Sequence, residues 1–142
     1  MVGFPRSGTT LLDQILDAHP DARVIEEQPV LSSVGAGFIA AGKETLAERL
    51  AALDEDEADR LRAEYRAKLA RWAGDKSPRV VIDKMPLNII YLPLALRLYP
   101  NAKVILSLRH PCDCCLSCFM QSIRLNSAMA SFTSMEGAAG FY

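Results

Sequence analysis

Gly3-Phe4-Pro5-Arg6-Ser7-Gly8-Thr9-Thr10, followed by Leu11, Leu12, Ile15 and Leu16, is the stretch on which the fold turns. Its two glycines have the spacing of the G-x-x-x-x-G turn that cradles phosphate, and the apolar residues after them predict a helix. Backbone N–H groups in such a turn, with the positive end of a helix dipole, favour a phosphate-like anion. A nucleotide triphosphatase places Lys directly after the second glycine, whereas this chain has Thr9 there and Arg6 as the only cation in the turn. A tight turn without a ligand is the competing reading of the glycine spacing alone.

Working outward, strands alternate with helices. Val2 to Phe4 forms the stub of a first strand, and Ala22 to Ile25 a further short one. Arg79 to Asp83 and Lys103 to Leu108 are β-rich and almost continuously apolar, the pattern of strands covered on both faces. A helix is predicted over Tyr91 to Tyr99 with Pro93 in its first turn, and Pro100-Asn101 ends it. Ala58, Leu61, Tyr65, Leu69 and Trp72 recur at steps of three and four and define one apolar stripe. Asp54 can cap that helix, Glu57 sits where a capping-box acid would, and Gly74 can close it; a shorter helix over 44–53 precedes it. The pattern is α/β with a mostly parallel sheet flanked by helices, whose ligand crevice belongs at the carboxyl ends of the strands.

Composition narrows the class. The 142 residues are 50% hydrophobic and 23% charged, which excludes a disordered tail, a collagen-like repeat and a disulfide-stapled miniprotein, and suits one domain over 1–142. A net charge of -1 provides no global field for nucleic acid, so an anion site has to be local. Residues 43–76 hold nine acids and eight bases, Lys43, Asp75 and Lys76 among them, and read as a solvated helical face. No apolar run approaches the length of about 20 residues that spans a bilayer. All four Cys fall between 112 and 118, which argues for a reducing compartment, the cytoplasm, and for small packing residues on a helix; Met120, Met129 and Met135 are read as packing too. One cluster without a second pair of ligands does not predict zinc. With only two residues ahead of Gly3 to form a strand, the domain is expected to be incomplete.

Pro5-Arg6-Ser7-Gly8-Thr9-Thr10 with Leu11 to His19-Pro20 resembles the phosphosulfate loop and first helix of sulfotransferases that use 3′-phosphoadenosine 5′-phosphosulfate (PAPS). The resemblance is closest to tyrosylprotein sulfotransferases and to bacterial members that carry tetratricopeptide repeats upstream. It continues through Glu26-Glu27, Asp83-Lys84-Met85-Pro86 and Arg109-His-Pro-Cys-Asp113 to Ser117. It implies a P-loop-like three-layer α/β fold, and sulfuryl transfer from PAPS to an acceptor hydroxyl on a small molecule, glycan or protein tyrosine, without a metal.

Carried over by residue, the resemblance gives Arg6, Ser7, Gly8, Thr9 and Thr10 the 5′-phosphosulfate, with Arg6 countering charge on the bridging oxygen. It gives Arg109 and Ser117 the 3′-phosphate, Glu27 the role of general base, and Lys84 that of steadying the leaving bridging oxygen. The chemistry itself asks for a base, because an attacking hydroxyl must lose its proton. Glu26 is the rival, since side chains alternate faces on extended backbone and one of the two points into the crevice. Ion pairs offer plainer roles: Arg109 with Asp113, Lys84 with Asp83 or Asp113, and either glutamate with Arg23. Tyrosine-specific members carry Arg two residues beyond the base, where this chain has Pro29. A P-loop kinase, or a non-catalytic nucleotide-binding fragment, are the alternative classes. His19 and His110 are read as turn residues without a chemical role.

Overall fold

A computed structural model describes residues 1–40, 44–74, 78–121 and 129–142. Lys43, Asp75 and Lys76 of the charged stretch lie outside the described residues. The chain runs β1 (Val2–Gly3), α1 (Thr9–Asp17), β2 (Ala22–Glu26), α2 (Val30–Ala40), α3 (Leu46–Ala52), α4 (Glu55–Ala73) and β3 (Val80–Lys84). A 3₁₀ turn at Pro86–Tyr91 leads into α5 (Leu92–Leu98), then β4 (Leu106–Ser107), α6 (Pro111–Phe119), a second 3₁₀ turn at Met129–Thr133 and α7 (Met135–Phe141).

The strands form two parallel pairs. β2 runs beside β3 from Ala22↔Val80 to Glu26↔Lys84, and β1 beside β4 with Val2↔Leu106 and Gly3↔Ser107. Backbone bonds from the Met1 nitrogen to Asp83 O (2.6 Å) and from Met85 N to Met1 O (3.3 Å) bring β1 alongside β3. The α/β, parallel expectation is met, and the turn after β1 opens beside the carboxyl ends of β2 and β3.

Local sequence explains most helix boundaries. Asp54 accepts a hydrogen bond from Glu57 N (2.8 Å) at the start of α4, and Gly74 caps its end with φ 69°. The reciprocal capping box forms one helix earlier, where Thr45 and Glu48 each bond the other's backbone N–H. Pro93 lies in the first turn of α5, where its missing N–H costs nothing. Two apolar clusters hold the layers together. Phe38, Leu53, Ala58, Leu94 and Leu98 join α2, α4 and α5, while Cys115, Cys118, Phe132 and Ala138 pack beneath Phe4.

Several sequence expectations are corrected. The apolar strands are not covered on both faces: Val80 is 54% exposed and Leu108 76%. β4 is two residues rather than six because β1 offers it only two to pair with. Below that short ladder, β3 and residues 102–105 line an open apolar groove of about 670 Å³. In α1 the buried residues are Thr9 and Asp13, four apart on one face, while Leu11 and Ile15 of the supposed apolar face are exposed. Of the α4 stripe only Ala58 is fully buried, Leu61, Tyr65 and Leu69 are partly so, and Trp72 is half exposed. Cys114, Cys115 and Cys118 pack as expected, but Cys112, Met120 and Met135 are exposed. No helix among the described residues is long and apolar enough to cross a membrane.

Candidate functional site

The turn after β1 owes its shape to two glycines with different duties. A Cβ on Gly3 would stand 2.6 Å from Ser7 Oγ and 2.8 Å from Ser107 O, so only a bare backbone allows the turn to fold back onto β4. Gly8 stands at φ 94° as the N-cap of α1, a conformation that disfavours other side chains. Gly8 provides no capping side chain, so α1 begins without the acceptor that a Ser or Asp would supply to its first N–H groups. Arg6 is itself left-handed at φ 68°, which for a non-glycine residue costs roughly 1–2 kcal/mol. Its Nε donates to Ser117 Oγ (3.1 Å), so α6 holds the strained residue from behind. Ser107 Oγ donates to Ser7 O (2.9 Å), and the Cys118 thiol donates to Pro5 O (3.5 Å). Burial, helped by its cysteine neighbours, pushes the Cys118 thiol up to about 11, so it supports the turn as a neutral donor.

In front of this turn lies a cavity of about 350 Å³ whose polar lining includes Arg6, Gly8, Thr9, Thr10, Glu27 and Arg109. Six of the nine residues singled out from the sequence therefore share one space. Ser7, Lys84 and Ser117 stand behind it. Ser7 Oγ is buried, packed towards Gly3, and has no hydrogen-bond partner among the described residues. Arg109 Nη1 donates to Arg6 O (3.3 Å), and its Nε also lies 3.5 Å from Asp113 in the exposed ion pair that sequence spacing allowed.

Glu27 reaches the cavity by a backbone irregularity. Its N–H still bonds Lys84 O (2.7 Å) at the end of the β2–β3 ladder, but its φ is 49°. That left-handed φ lets both neighbouring side chains reach the same lysine. Glu26 Oε1 and Glu27 Oε1 both lie 3.0 Å from Lys84 Nζ, and of the two Glu27 lines the loop cavity. The plainer pairing of these glutamates with Arg23 is absent; Arg23 pairs with Asp17 (3.3 Å).

Lys84 sits elsewhere than expected. Its side chain is fully buried and does not line the cavity, because its ammonium is drawn inward to Asp13 of α1, with 2.9 Å between Nζ and Oδ2. Burial alone would lower the Lys84 pKa, but contacts with Asp13, Glu26 and Glu27 outweigh it and hold the group above its ordinary value. Asp83 is not its partner: that carboxylate accepts from Tyr65 OH (2.9 Å), and burial raises its pKa. Sequence reasoning missed Asp13. The available signal was an acid four residues after Thr9, on the same helical face as the first residue after the second glycine. Among the described residues, no group of three or more His, Cys, Asp or Glu is disposed to hold a metal ion.

With this geometry in place, comparison with known sequences decides the family: the profile of the Sulfotransferase family matches residues 1–140. The chain belongs to the sulfotransferase family. It is 37% identical over 109 residues to a putative protein-tyrosine sulfotransferase of Caenorhabditis briggsae, covering 75% of this chain and 37% of that protein. It is 33% identical over 110 residues to human protein-tyrosine sulfotransferase 1, covering 75% of this chain and 30% of the relative. An uncharacterized protein of Aquifex aeolicus (strain VF5) is 33% identical over 148 residues, which takes in 99% of this chain and 18% of that one. This sulfotransferase-family chain thus spans well under half the length of these curated relatives.

Proposed function

We propose that this chain carries the phosphosulfate loop and the general base of an enzyme that transfers a sulfuryl group from PAPS to an acceptor hydroxyl. The observation that carries the reading is the single cavity in which Glu27 faces the Arg6–Thr10 turn. PAPS would supply the activated sulfur, whose bond to the bridging oxygen breaks as the acceptor oxygen bonds to it.

The residues of this chain do the rest. The uncapped N–H groups at the start of α1 and the backbone of the Arg6–Thr10 turn suit the 5′-phosphosulfate, while the Ser7 side chain lies behind the cavity. The Arg6 guanidinium, anchored at Nε by Ser117, presents its remaining N–H groups where charge develops on the bridging oxygen. Glu27 takes the acceptor proton; its Oε1 rests on Lys84, and its other oxygen is the one to work from. Lys84 acts through Glu27, since it is buried away from the cavity. Arg109 supplies a charge-assisted contact to the 3′-phosphate, giving up its exposed pairing with Asp113, and Ser117 lies one contact away through Arg6. The acceptor is a hydroxyl compound, and tetratricopeptide repeats or other segments of a longer protein would complete its pocket.

Calorimetry and single-turnover transfer test this together. Adenosine 3′,5′-bisphosphate is expected to bind more tightly than ATP with magnesium. Glu27→Gln is expected to leave that binding intact while lowering single-turnover transfer by about 10² to 10⁴. Arg109→Ala is expected to weaken bisphosphate binding by roughly 1.5–3 kcal/mol. Tighter binding of ATP with magnesium, or full transfer by Glu27→Gln, would overturn the assignment.

A further inference from the structure

The contact that neither the loop nor the general base accounts for is the one between α1 and β3. Asp13 and Lys84 are 1% and 0% exposed at their side chains, with 2.9 Å between Oδ2 and Nζ. Lys84's other two partners, Glu26 and Glu27, are about half exposed. Three carboxylates surround the ammonium: Glu26 and Glu27 each accept a hydrogen bond from it, and Asp13 meets it as a buried ion pair. The roles within the trio differ because the environments differ. Water can solvate Glu26 and Glu27 whether or not they touch the lysine. Asp13 has no such recourse, so it is the partner that balances the buried charge and anchors the ammonium in place.

That anchoring bears on Glu27 directly. Without an anion beneath it, the same ammonium would be shared between two glutamates and would draw more charge from Glu27 Oε1. A fixed anion on its far side limits the withdrawal. We propose that Asp13 is a positioning residue: by anchoring Lys84 from the helix side, it fixes how that ammonium is shared between Glu26 and Glu27 and so orients the Glu27 carboxylate towards the loop cavity. The proposal rests on the reading of Glu27 as the base but concerns a residue that does not itself line the cavity. It also gives a reason for the buried face of α1, where a charged residue occupies the place that an apolar one would fill in an ordinary sheet-covering helix.

Charged groups face Glu27 from every side. Asp13 comes from α1, Glu26 from β2 and Lys84 from β3, and Arg6 and Arg109 line the cavity with it. Arg6 and Arg109 favour the ionised carboxylate, and Glu26 opposes it. Of the two carboxylates that share Lys84 with Glu27 from outside the cavity lining, Asp13 is the buried one and Glu26 is about half exposed.

The test is a carboxyl ¹³C titration of Glu27 in the purified protein, with the signal assigned through Glu27→Gln. Asp13→Asn keeps the shape, and its amide oxygen can still accept from Gln14, as Asp13 Oδ1 does now (3.2 Å). Removing the anion and freeing Lys84 act in the same direction, so Glu27 is expected to titrate about one pH unit lower. Bisphosphate affinity should stay unchanged, and single-turnover transfer should fall several-fold with its acid limb displaced the same way. The double variant Asp13→Asn with Lys84→Met removes both charges and leaves Glu27 beside Glu26, so its titration should instead move above the wild-type value. A Glu27 titration unmoved in Asp13→Asn would reduce Asp13 to a packing partner and overturn the proposal. If Asp13→Asn does not fold, Asp13→Ser, which also removes the anion, is read the same way: a downward shift supports the proposal and an unmoved titration overturns it. Absence of sulfuryl transfer with the titration shifts intact would instead overturn the general-base reading and leave the Asp13 device standing.

Discussion

Two cations among the described residues each hold more than one carboxylate, and they could hardly differ more in consequence. Arg62 of α4 reaches Glu55 (2.6 Å) and Asp59 (2.7 Å), both about 70% exposed, in a stretch where half the residues are charged. Lys84 reaches Asp13, Glu26 and Glu27 at similar distances from a strand with one other charge, Asp83. Coulomb's law makes little distinction between the two at equal separation. Solvent does: the carboxylates around Arg62 are screened and well hydrated when apart, while Lys84 and Asp13 cannot return to water without opening the fold. Charge density along a chain is therefore a poor guide to where charge matters. A single lysine at the end of an apolar strand carries more than a helix full of alternating signs.

Three measurements sharpen or break that contrast. The largest effect is expected from Lys84→Met, which strands Asp13 as a buried, unpaired carboxylate: denaturant unfolding should show a loss of about 3–5 kcal/mol. A loss below 1 kcal/mol would mean that the cluster is as well hydrated as the one around Arg62. A smaller, pH-dependent effect follows from the raised pKa of Lys84. Its contribution to stability is full below the unfolded lysine value of about 10.4 and is lost as pH rises through the higher folded value, so wild type should weaken in that alkaline window while Lys84→Met does not. The smallest belongs to the surface. Glu55→Gln should leave the unfolding midpoint within experimental scatter at moderate salt, and a clear drop would show that Arg62 is fixed more firmly than its exposed partners suggest.

Much of the fold is legible in the chain itself. Glycine spacing marks the turn after β1, periodicity with Asp54 and Gly74 delimits α4, and β-rich runs locate β2 and β3 to within a residue. What escapes is what distant parts of the chain do to one another. The pairing of Asp13 with Lys84 joins residues far apart in sequence and has no periodic signature. The convergence of Glu26 and Glu27 on one ammonium depends on a left-handed φ that no local residue type announces, since glutamate is not a residue chosen for that conformation. Strand burial is misjudged because apolar runs record what a side chain prefers, and Val80 and Val81 line a groove that the described residues leave open. Within the candidate site, the cavity lining was foreseeable from motif order, while the layer beneath it was not.

The two glycines of the turn, alike in any pattern written for it, answer to unrelated demands and so should differ in what can replace them. Around Gly8 there is open space, and the restriction is on dihedral angle alone; asparagine, which tolerates left-handed backbone, is an admissible spelling there. At Gly3 the dihedral angle is ordinary and the restriction is on volume, set by Ser7 Oγ and by the carbonyl of Ser107 on a neighbouring strand. Even alanine is one carbon too many. A motif written to find this turn should accordingly hold its first glycine strictly and relax its second, the reverse of a weighting that ranks glycines by how sharply the backbone bends.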